Sequence, residues 1–306
     1  MRRLPVSGVV LVLGLAIAWL SPRAVAQAPQ APAAGQATPP AAPGRGRGQA
    51  PQTPQAQAPI DLTGWWVAIV TEDWRWRMVT PAKGDYASVP ISNEGRRVAD
   101  TWDPARDEKE GNACKSYGVG GLMRVPGRAH ITWQDENTLK IETDAGTQTR
   151  LLRFGTSTNA EPSRASRDGD DRPPAGEQGW QGYSVAIWEI AGTARGGGGG
   201  AGGAGAAGGG GGNRGAAPAG PRYGSLKVVT KNMKAGYLRK NGVPYSENAV
   251  VTEHFDRHNE PNGDQWITIT TIVEDPKYLN QPFITSSGFK KEPDGAKWRP
   301  TPCLAQ

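Results

Sequence analysis

"RAHITWQDENTLKIETDAGTQTRLLRFG", residues 128–155, decides the fold class. In its middle run Leu139, Ile141 and Thr143 alternate with Lys140, Glu142 and Asp144, the period-two pattern of a strand with one buried and one wet face. Three such runs, 128–134, 138–144 and 147–155, are separated only by "DEN" and "AGT". Connections that short cannot carry a crossover, so the three runs form an antiparallel meander.

Working outward, the same reading finds strands at 64–73, 184–190, 225–233, 248–258, 265–275 and 283–292, about nine in all with no convincing helix between neighbours. That excludes a parallel α/β sheet. The expected fold is all-β: an antiparallel barrel or strongly curved sheet over 60–306, closed so that no strand edge is left open. One short helix is expected in "SNEGRRVADTWDP", with Ser92 as N-cap and Pro104 beyond its end. The patch "DEKEGNACKSYG" is interrupted by Gly111 and reads as loop.

The flanking segments set the compartment. Residues 1–26 have a basic start (Arg2, Arg3), an apolar run and Ala24-x-Ala26, the pattern of a Sec-type signal peptide cut after Ala26, with no membrane span left in the mature chain. Residues 27–59 are almost wholly Ala, Pro, Gln and Gly and read as a disordered tether. A second low-complexity stretch, 192–224, lies between two runs that would otherwise make a hairpin, and reads as an insertion at its tip. The expected location is periplasmic or secreted. There the only two cysteines, Cys114 and Cys303, would form a disulfide, stabilising by roughly 4 to 5 kcal/mol in the chain-entropy model. A catalytic or metal-binding cysteine is the alternative, but neither has a CxxC partner or a nearby histidine.

Charge excludes one class of partner. The chain is +6 overall, with 35 basic and 29 acidic residues, but residues 1–60 hold five arginines and no acid. The remainder is close to neutral, so no nucleic-acid groove is expected. The Gly-rich stretch has no helix after it and makes no phosphate cradle. His254 and His258 have the i, i+4 spacing of helical metal ligands, but the flanking alternation is that of a strand, which sets them roughly 13 Å apart. No metal site and no cofactor are expected. Glu142, Glu253 and His254 are the weak catalytic candidates, with charges on a wet sheet face as the plainer reading.

Eleven tryptophans against four phenylalanines is the unusual feature. Tryptophan couples a large apolar face to one N–H donor and suits either a packed interior or a ligand wall. Trp65, Trp74, Trp76 and Trp133 are candidate wall residues, and Arg75 or Arg77 a candidate anion contact. If 64–77 is one strand, Trp74 and Trp76 share a face opposite Arg75 and Arg77, so only one of those pairs can face inward.

The order "WQGYSVAIWEI", "LKVVT", "YLRKNGVPYSE", "VVTEHFDR" and "TIVEDPKYLNQPF" resembles a group of secreted bacterial proteins of unknown function, over 179–283, and "DLTGWW" and "ADTWDP" fit the same pattern. The resemblance implies a lipocalin- or calycin-like barrel and no settled catalytic residues. Three functions follow as expectations: binding of a small apolar or aromatic molecule in a barrel cavity, an enzyme acting on a small molecule or glycan through barrel-facing carboxylates, or a structural envelope protein. Nothing in the sequence points to an oligomeric state.

Overall fold

The computed structural model describes residues 52–155, 178–190 and 223–306. The candidate signal peptide, most of the tether and nearly all of the Gly-rich stretch lie outside the described residues. Eleven strands are present among those described: β1 (Gly64–Ile69), β2 (Arg128–Asp135), β3 (Thr138–Thr143), β4 (Thr149–Phe154), β5 (Tyr183–Ile190), β6 (Gly224–Lys231), β7 (Gly236–Arg239), β8 (Val243–Tyr245), β9 (Val250–Asn259), β10 (Gln265–Glu274) and β11 (Phe283–Glu292). Nine of them close into a calycin-like barrel in the order β1-β11-β10-β9-β6-β5-β4-β3-β2, and β7 and β8 form a separate hairpin.

The meander β2-β3-β4 is antiparallel with Ile131 opposite Ile141 and Leu139 opposite Leu152, as the alternation requires. One pair departs from the antiparallel expectation: β4 and β5 run parallel, with Leu152 beside Ser184 and Phe154 beside Ala186. Parallel neighbours cannot be joined by a short turn, and the sequence between Phe154 and Tyr183 is long enough for a crossover. β5 and β6 pair without a slip from Tyr183–Lys231 out to Ile190–Gly224; nearly all of the Gly-rich stretch expected between them lies outside the described residues.

Residues opposite one another share a face, and the inward face is filled. Trp66, Leu152, Leu226, Val228, Val251 and Phe255 are each 0% exposed, so side chains occupy the middle of the barrel. Halfway along, Arg150 and Glu253 make a fully buried, two-pronged ion pair at 3.1 and 2.5 Å, and the Ser184 and Thr230 hydroxyls bond at 2.7 Å.

The two ends are closed differently. At the end bearing the β2–β3 and β5–β6 turns, Trp133, Phe154 and Trp188 pack with ring centroids 5.6 and 5.3 Å apart. A one-turn helix, α1 (Pro54–Gln57), docks there by accepting the Trp188 Nε1–H at Pro54 O, 2.8 Å, and donating Gln55 N–H to Glu136 O. The last residues of the tether segment thus belong to the barrel's plug. The other end is covered by residues 70–126, the β7–β8 hairpin and the β10–β11 connection. This cap contains α2 (Trp74–Arg77), α3 (Asn93–Asp100), α4 (Pro104–Lys109) and 3-10 turns at Ala113–Tyr117 and Leu122–Arg124.

Four helices in place of one is a correction. The Ser92-capped helix forms as expected, Ser92 Oγ accepting from Gly95 N at 3.0 Å. α4 begins at Pro104 with Asp103 as its cap, so the proline that ends one helix starts the next. The cap's β7–β8 turn needs Gly242, whose φ is +83° and whose missing Cβ leaves room for the Trp102 ring. Cys114 and Cys303 are joined as a disulfide across 189 residues, tying the tail to the 3-10 turn Ala113–Tyr117.

Candidate functional site

β1 ends at Ile69, and Asp73, with φ +52°, turns the chain into α2. The strand expected over 64–73 stops at Ile69, and its continuation through 77 does not form: in a helix, residues two apart lie on nearly opposite sides. Trp74 stands 65% exposed, while Trp76 faces the cap and Arg77 is 6% exposed. Asp73 pulls the chain around because its carboxylate reaches Arg124 Nη2 at 2.8 Å.

Three guanidinium groups meet where α2, the turn Leu122–Arg124 and the end of β7 come together. Arg77, Arg124 and Arg239 are 6, 6 and 4% exposed. Arg77 donates through Nε to Arg124 O at 2.8 Å and pairs through Nη1 with Glu72; its Nη2 has no partner. Arg124 spends Nη2 on Asp73 and leaves Nη1 unpartnered. Among the described residues no carboxylate is bound to Arg239. Its Nη1 donates to Ala87 O at 2.6 Å, and Nε and Nη2, which form one edge of the planar group, are both unpartnered and buried. Its plane is held over the Trp76 ring at 4.7 Å, with Phe283 at 5.9 Å. Burial, and then the neighbouring Arg124, pull the Arg239 guanidinium down to about 10, still protonated at neutral pH. Burial likewise lowers Arg77 against the pull of Glu72.

These groups border a cavity of about 30 Å³ whose wall also includes Ser116, with an unpartnered hydroxyl, and Leu238. A buried donor left unmade costs roughly 1–3 kcal/mol, more when charged. Four guanidinium nitrogens and a hydroxyl in that condition belong to residues lining one cavity, and donors of that kind are the ones an oxyanion would satisfy. A second cavity of about 160 Å³ lies among α3, α4 and the β7–β8 hairpin. Its buried carboxylate, Asp107, is already spent on Lys115 Nζ at 2.6 Å and Tyr237 OH at 2.7 Å, and burial with that bond raises the Tyr237 phenol.

The other residues singled out from sequence are dispersed. Trp65 faces outward and stacks on His130 at 3.7 Å, with Trp298 edge-on at 5.2 Å; it is Trp66, bonded to Leu62 O at 2.9 Å, that points inward. Trp133 plugs the far end. Arg75 is exposed and pairs with Asp85 at 2.9 Å. Glu142 lies on the outer face between Lys140 and His130, His254 on the outer face against Glu189, and Glu253 inside with Arg150. Alternation along the strands keeps these three catalytic candidates from converging, and among the described residues no three His, Cys, Asp or Glu side chains cluster. Arg77 and Trp76 reach the site, though not by the strand geometry expected of them. Arg124 and Arg239 carry no local sequence signal beyond their place in apolar surroundings, "LMRV" and "YLRK".

No family model, curated protein or solved structure matches the chain. Among the described residues no helix is long and apolar enough to cross a membrane.

Proposed function

We propose that this protein binds a small molecule by an anionic group, at the capped end of its barrel. The observation that carries the reading is the free edge of Arg239: a buried guanidinium with no carboxylate, two adjacent donors unspent, and an aromatic ring fixing its plane. Such an edge matches the two oxygens of a carboxylate or phosphate. The expected aromatic wall contributes through Trp76 alone, and the ligand sits under the cap and not among the strands. The candidate signal at 1–26 and the Cys114–Cys303 bridge support a periplasmic or secreted location, and membership of the secreted family that the motifs resemble belongs to the same proposal.

The test compares acetate and inorganic phosphate with neutral acetamide in thermal unfolding of the full chain. A ligand at a hundred times its dissociation constant stabilises by about 2.7 kcal/mol, so an anion-specific shift is expected. Arg239→Lys keeps the charge and loses the paired edge, and should abolish that shift. Equal responses to acetate and acetamide, or an unchanged response in Arg239→Lys, would end the proposal.

A further inference from the structure

We propose that the group bound at this site is a phosphate monoester, a dianion with three terminal oxygens; this rests on the anion site proposed above and names its chemical class. Two observations separate such a group from a simple carboxylate.

The first is charge. The charged side chains lining the cavity are Arg77, Arg124, Arg239 and Lys240, all of them cations. Glu72 pairs with Arg77 and Asp73 with Arg124, each carboxylate belonging to a residue outside that wall. Arg75 and Asp85, also outside it, pair with each other. Arg239 and Lys240 are left over: among the described residues neither is paired with a carboxylate, and the Lys240 ammonium stands 5.3 Å from the centre of the Tyr117 ring. Neighbours in a strand face opposite ways. The β7 pairing, however, slips between Tyr237 and Arg239 and the strand ends there, and Leu238, Arg239 and Lys240 all border the one cavity. A phosphate monoester brings about −1.5 to −2 at pH 7, enough for both unmatched cations. A monocarboxylate would leave one of them unmatched.

The second is the supply of donors. Arg77 Nη2, Arg124 Nη1, Arg239 Nε and Nη2, and Ser116 Oγ are all unpartnered, and they come from α2, both 3-10 turns and β7. A carboxylate has two oxygens with about four lone-pair sites, fewer than these groups together with the Lys240 ammonium. Three phosphoryl oxygens can accept from all of them. The cavity opens to solvent, so the ester oxygen and the body it carries lie outside the arginine cluster.

The experiment is isothermal titration of the full chain at about pH 8, where the ester is a dianion, with methyl phosphate, methanesulfonate, malonate and acetate. These probes vary charge and oxygen count separately. Methyl phosphate should bind about tenfold tighter than methanesulfonate, which has three oxygens but one charge, and than malonate, which divides its charges between two carboxylates. Lys240→Met should weaken methyl phosphate by about tenfold, the loss of a charge-assisted bond, and acetate much less, while Lys240→Arg should keep the preference. Any of the other three probes matching methyl phosphate, or a preference unaltered in Lys240→Met, overturns the class while the anion site stands. Silence of all four probes overturns the site and the class together.

Discussion

The two ends of this barrel solve the same problem in opposite ways. At the plugged end, Trp133, Phe154 and Trp188 stack and the one indole N–H that matters is given to Pro54 O. At the capped end, three arginines are buried and several of their N–H groups are bonded to nothing among the described residues. A protein selected only to fold would cover both ends with apolar side chains, since buried unpaired donors oppose folding. The contrast teaches where stability has been given up, and those costly, unspent donors are the ground for the proposed anion site.

The comparison can be broken by substitution, starting where the largest effect is expected. Glu253→Gln removes the carboxylate paired with the buried Arg150 and should destabilise by about 3–5 kcal/mol, read by denaturant unfolding, while Arg150→Met with Glu253→Leu should recover most of it. Trp188→Ala opens the plugged end and should cost about 3 kcal/mol with anion affinity unchanged; a parallel loss of affinity would show that the ends are not independent. Arg239→Met should do the reverse, leaving stability within about 1 kcal/mol or raising it while binding disappears. A large destabilisation there would make Arg239 a structural residue. The smallest effect is on the outer face. Burial holds His130 below its ordinary 6.5 against the pull of Glu142, so the unfolded chain takes up that proton first as pH falls. Stability should therefore fall as pH drops below about 6.5, and His130→Gln should flatten that part of the profile.

What could be read from residues alone followed from local rules. β2, β3 and β4 announce themselves by alternation, β11 spans the run expected of it at 283–292, and Ser92 caps its helix as its type demands. The cap resisted reading because its order is tertiary: α2 is one turn long and set by the left-handed Asp73, and β7 and β8 have four and three residues. The site resisted more completely. Arg77, Arg124 and Arg239 come from three separate segments, and what distinguishes them is the absence of partners, which only packing reveals. Trp65 and Trp66 show how narrow the margin is, since one residue of register exchanges inside for outside.

The β5–β6 pairing has a practical reach beyond the fold. Because the two strands stay in register out to Ile190 and Gly224, the barrel's closure asks nothing of what joins them, and loop length there adds little to the entropy of closing it. Gly224, the last paired residue of β6, lies against Pro59 beside the plugging helix, across the barrel from the arginines. The join after Ile190 is a natural splice point, where a reporter or an affinity handle could be grafted without touching the capped end.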